Sequence, residues 1–78
     1  MTQFDYVARN LDALKREMCN PHEDDTPMDV YHYAVGELDK ALMDDVVSIG
    51  WWKREHKELD RWLHKALFGK FPKQEVSA

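Results

Sequence analysis

Apolar side chains recur along this chain at helical intervals and divide it into three segments. Phe4, Val7, Leu11, Leu14 and Met18 follow one another at spacings of 3, 4, 3 and 4, which puts them on one face of a helix. Thr2 can cap that helix, and Asp5 three residues later completes a capping-box-like start. The predicted helix covers residues 3–18 and stops at Asn20-Pro21, because the residue before a proline avoids helical geometry. Tyr6 and Ala13 form a small second apolar spot on the other side. The stretch from Cys19 to Thr26 contains a proline and three consecutive acidic residues and reads as a loop.

A second helix is predicted from Thr26-Pro27. Threonine is a good N-cap, proline suits the first helical position, and Asp29 favours the positive end of the helix dipole. The apolar pattern carries this helix over residues 27–48, with Gly50 stopping it. Tyr31, Val35, Leu38, Leu42 and Ile49 form its expected seam. Val30, Ala34 and Ala41 widen that seam on one side, and Met28 and Val46 on the other. So broad an arc predicts two packing neighbours, and hence a long central helix.

A third helix is expected over residues 51–68. Trp52, Leu59, Leu63 and Ala66 project within about 60° of one another, with Leu67 beside them. Trp51 and Trp62 share one edge of that face. Gly69 suits a left-handed helix end, Pro72 blocks a restart, and Phe71 can fold back on the last turn. No alternating run of β-branched residues suggests a strand. The expected fold is all-α: a three-helix bundle in one domain, residues 1–72, with a flexible tail at 73–78.

Composition sharpens this picture. The chain has 78 residues, 44% of them hydrophobic, and nine Phe, Trp and Tyr in all. That is too apolar and aromatic for a disordered segment. A domain this short buries only about 60% of the surface its unfolded chain exposes, so small proteins often add a staple. A lone cysteine, Cys19, excludes an intrachain disulfide. A metal, self-association or very efficient helix packing remains. The longest apolar runs are too short to span a membrane, and the first residues lack the pattern of a secretory signal. A reduced, cytoplasmic setting is the expectation.

Charge is unevenly spread. Residues 1–50 hold four Lys/Arg against eleven Asp/Glu, and residues 51–78 hold seven against four. Arg54, Lys57, Arg61 and Lys65 project within about 80° of one another on the third helix. Such a ridge can meet nucleic acid or an acidic partner. A solvated helix face explains it more simply in a chain of pI near 5.4, because phosphate binding normally shows a net basic domain. A helix-turn-helix at Ser48-Ile49-Gly50 is rejected: the preceding helix is too long, and Trp51-Trp52 stand where base-reading polar residues belong. The acidic Glu23-Asp24-Asp25 and Asp44-Asp45 clusters lack the alternating ligands and glycine of a calcium loop.

Candidate chemistry is thin. His56, Asp60 and His64 stand four apart, so neighbours can meet across one helical turn and share a metal with ligands from elsewhere. A weak surface pair is the simpler reading. Cys19 and His22 have C-x-x-H spacing, but a single such pair is not a zinc set. No nucleophile motif or glycine-rich phosphate loop is present. The expectation is a non-enzyme without cofactor, resident metal or small-molecule substrate.

The aromatic surplus is the most informative feature. Trp51 and Trp52 point about 100° apart on a helix, so both cannot centre one core face. Trp52 is the core candidate, and Trp51 and Trp62 fall at its margin, where an indole N–H can still reach water. Tyr6, Tyr33 and Phe71 also fall off the main seams. Aromatic residues and arginine dominate binding hot spots. The resulting expectation is a small protein-binding module, forming a homodimer or docking on a larger protein through Trp51, Trp62, Tyr33, Tyr6 and Phe71. Regulators, adaptors and phage-encoded inhibitors work in this way. A nucleic-acid-associated regulator using the basic ridge is the alternative.

Overall fold

Thr2 and Thr26 open two of the helices by the same local device. In the computed structural model, which describes residues 2–73, each threonine hydroxyl accepts the backbone N–H of an aspartate three residues on. That aspartate carboxylate accepts the threonine's own N–H in return. The reciprocal pair satisfies donors that the first helical turn leaves free, and each cap stabilises its helix by about 1 kcal/mol. The helices are α1 (Gln3–Cys19), α2 (Pro27–Met43) and α3 (Ile49–Phe68), with no strand among the described residues. The tail expected at 73–78 lies, from 74 onward, outside the described residues.

The end of α2 departs from the sequence expectation. The helix stops at Met43 rather than near Val47. Asp45 takes a left-handed conformation, with φ of 58°. Its N–H donates to the Leu42 carbonyl, and the Val46 N–H donates to the Ala41 carbonyl. These two bonds are those of a Schellman cap, here built on an aspartate instead of a glycine. Val46 and Val47 continue the apolar pattern past the helix end, and Val47 is buried there as part of the connection. Ser48 then caps α3 by accepting the Trp51 N–H, so Ile49 and Gly50 lie inside the first turn of α3. α2 is therefore 17 residues long, as is α1, and α3 at 20 residues is the longest. Every helix packs on both others, so the long central helix gives way to three mutually packed helices.

The core is Leu11, Leu14 and Met18 from α1, Val30, Ala34 and Leu38 from α2, and Leu59 from α3. Phe4 and Ile49, expected in the seams, are 40% and 61% exposed. The α2 seam centres on Val30, Ala34, Leu38 and Ala41, with Tyr31 and Val35 half-buried at its margin. Small Ala34 and Ala41 let the neighbouring helix approach closely. Leu59 alone is fully buried on α3; Trp51, Trp52, Trp62, Leu63 and Ala66 pack against the core half-buried. The chain turns back twice. Tyr31 pairs with Asp60 and Asp39 with Trp52, so α2 and α3 run antiparallel. The Phe4 and Trp51 rings meet edge to face at 5.1 Å, bringing the starts of α1 and α3 to one end. No helix among the described residues is long and apolar enough to cross a membrane.

Candidate functional site

The five aromatic residues singled out from the sequence do not form one surface. Trp51 lies half-buried against Phe4 at the end where α1 and α3 begin. Trp62 lies 11 residues further along α3, about 16 Å away along the axis. There Phe71 folds back onto it edge to face, ring centroids 5.2 Å apart. Gly69, with φ of 81°, makes that reversal possible. Tyr6 and Tyr33 are 64% and 59% exposed, and both border the junction of α1 and α2.

The end of the bundle around Trp51 gathers apolar side chains that sequence periodicity had placed in the core or left unremarked. Met43, the last residue of α2, is 84% exposed, and Ile49, the first of α3, is 61% exposed. Phe4, at the start of α1, stands at the same end against Trp51 and is 40% exposed. The signal for this cluster was present at Ser48. Reading that serine as an N-cap starts α3 at Ile49, where an apolar side chain has little to pack against.

Along the other side, two shallow grooves follow the α1/α2 junction. One, of about 240 Å³, has Tyr6, Val7, Ala41 and Val46 with Glu37, Lys40 and Asp44 around it. The other, of about 300 Å³, has Leu14, Val30 and Tyr33 with Glu17, Asp25 and Asp29.

The basic ridge is split by its own fold. Arg61 donates to Glu58 at 2.7 Å and lies 5.1 Å from the Phe71 ring centre. Lys65 stands 4.8 Å from Phe71 and 5.3 Å from Trp62. Both cations thus hold the C-terminal turn against α3 through attraction to aromatic faces. Arg54 and Lys57 are exposed, with no carboxylate partner among the described residues.

His56 and Asp60 approach to 3.8 Å, and Asp60 also accepts the Tyr31 hydroxyl. Burial pushes the Tyr31 phenol up to about 12, and the hydrogen bond to Asp60 and its negative charge act in the same direction. Trp52 tilts over His56 at 5.2 Å and donates its indole N–H to Asp39 at 2.9 Å. Asp60 is thereby engaged in joining α2 to α3. His64 instead contacts the Lys70 carbonyl at 2.9 Å, and His22 meets Glu17 at 3.1 Å, while Cys19 is exposed. No group of three or more His, Cys, Asp or Glu among the described residues is placed to hold a metal ion.

One cross-helix ion pair was invisible in the sequence. Lys15, on α1, is only 8% exposed and donates to Glu55 on α3 at 2.7 Å. Comparisons with family models, curated proteins and solved structures gave no match.

Proposed function

We propose that this chain is a small, non-enzymatic protein-binding module that acts by occupying a surface of a larger partner or of a second copy. The observation that carries this reading is the apolar end, where Phe4, Met43 and Ile49 are exposed at the end of the bundle that holds half-buried Trp51. Exposed apolar residues are ordinary when scattered, but clustered beside an aromatic anchor they mark interaction surfaces. The small size of the fold supports the same reading, since covering such a surface would add apolar burial that the short chain lacks.

A second copy and a foreign partner are separable. Sedimentation equilibrium at tens of micromolar tests for a dimer, and a strict monomer leaves only a foreign partner. Affinity capture from the source cell, with Ile49→Lys and Met43→Lys as controls, tests the foreign partner. A partner retained equally by wild type and both variants would remove the apolar end from the reading. A nucleic-acid regulator draws less support, because Arg61 and Lys65 are occupied by Glu58, Trp62 and Phe71.

A further inference from the structure

The α1/α2 furrow has a composition unlike that of the apolar end. Its two grooves lie on the side of the molecule turned away from α3. On α2, Tyr31 and Asp39 reach α3, whereas Tyr33 and Glu37 project to the opposite side. On α1, Phe4 and Lys15 reach α3, whereas Tyr6 and Glu17 project away from it. Val7, Leu14, Val30 and Ala41 provide an apolar floor, and the exposed rings of Tyr6 and Tyr33 flank it.

We propose that this furrow seats a basic amphipathic helix from another protein. Two antiparallel helices of 17 residues each border it, a length of about 25 Å. A helix laid between them would complete a four-helix bundle, with its apolar stripe on the floor. The rim sets the sign of the occupant. Glu17, Asp25, Asp29, Glu37 and Asp44 line the two grooves against the single ammonium of Lys40. His22 and the Thr26 cap engage Glu17 and Asp29 without removing the excess. An occupant with arginine or lysine beside its apolar stripe is attracted, and an acidic one is repelled.

A second copy fits less well. Its α3 offers Lys53, Arg54 and Lys57 on the exposed face, but no large exposed apolar residue between Ile49 and Leu67 to fill the floor. Docking that face into the furrow of another copy is also head-to-tail, which builds a ring or an open filament rather than a two-fold dimer.

This proposal deepens the binding-module reading, and its test uses a different surface from the apolar end. The probe is a fluorescent peptide of about 17 residues, with a leucine stripe flanked by arginines. The controls are a scrambled peptide of the same composition and a version with glutamate for arginine. Anisotropy should show saturable binding of the amphipathic basic peptide alone. Glu37→Lys and Asp25→Lys, checked for native helicity, should each weaken it about tenfold. Tyr33→Ala should weaken it several-fold, and Ile49→Lys should leave it unchanged. Amide shift changes should map to α1 and α2.

Equal binding of the scrambled peptide, shifts confined to α3, or no saturation by about 1 mM overturns the proposal. Self-association abolished by Glu37→Lys also overturns it, because the occupant is then a second copy. Loss of peptide binding in Ile49→Lys with none in Glu37→Lys moves the site to the apolar end. The furrow then fails while the binding-module reading stands.

Discussion

Removing Glu55 should destabilise the fold more than removing its partner Lys15. Their side chains are 20% and 10% exposed and meet at 2.7 Å. Replacing Glu55 with leucine leaves an ammonium with little access to water and no other hydrogen-bond acceptor among the described residues. Stranding a fully buried charge costs about 3–5 kcal/mol. The residual exposure and the flexible lysine stem reduce this to about 2 kcal/mol. Replacing Lys15 with methionine preserves the stem's packing and leaves the more exposed carboxylate, which can turn to water, at a cost of about 0.5–1 kcal/mol. The double variant should lie within about 0.5 kcal/mol of wild type, because a packed apolar pair replaces a desolvated ionic one. A coupling energy of about 2.5–3 kcal/mol follows. Urea and thermal unfolding of the four proteins measure it, and Glu55→Leu alone should lower the Tm by about 8–16 °C. The coupling should survive about 1 M salt, which screens the exposed Arg16–Asp12 pair. Equal costs for the two single variants, with an additive double, would refute the assignment of the buried ammonium as the vulnerable partner.

Further outcomes follow from other sites. Tyr31 has its folded-state phenol pushed up to about 12 from an ordinary 10.0. Its contribution is fully present below the unfolded value and is lost as pH climbs from about 10 to about 12. Tyr31→Phe should therefore flatten the alkaline fall in stability across that window, as followed by circular dichroism; an unchanged slope refutes this. Asp45→Gly should raise stability by about 0.5–1 kcal/mol in thermal melts, because glycine takes the left-handed conformation without a Cβ penalty, whereas Asp45→Val should lower it. Phe71→Ala should uncover Trp62 and red-shift its fluorescence while leaving α3 helical, which near-neutral fluorescence and far-ultraviolet dichroism check together.

Local signals in the sequence transferred well to the fold. The Thr2–Asp5 and Thr26–Asp29 caps and the left-handed Gly69 each depend on residues within one turn. The end of α2 was misread because Val46 and Val47 prolong the apolar pattern, while the residue that reverses the chain is an aspartate. Aspartate tolerates the left-handed region but does not announce it as glycine does. Shifting that boundary also moved Ile49 from the seam of one helix to the exposed start of the next. The burial of Lys15 and the Tyr31–Asp60 contact were illegible for another reason. Their partners lie 40 and 29 residues away, and helical periodicity carries no information about which charges meet across helices. The candidate partner residues were legible as off-seam aromatics, but only the packed bundle separates Trp51, Trp62 with Phe71, and the two tyrosines into different places.

The meeting of Phe4 with Trp51 also has a mechanical consequence. Because α1 and α3 begin at one end, the chain enters there and leaves α3 at the other, near Gly69. A force applied between the start of α1 and the end of α3 would drag the two helices past one another along their lengths, loading all of their shared packing at once. It would not peel contacts away one at a time. The same geometry makes the end of α3 near Gly69 the natural point to tether the bundle, since it lies at the opposite end from the apolar residues around the start of α3.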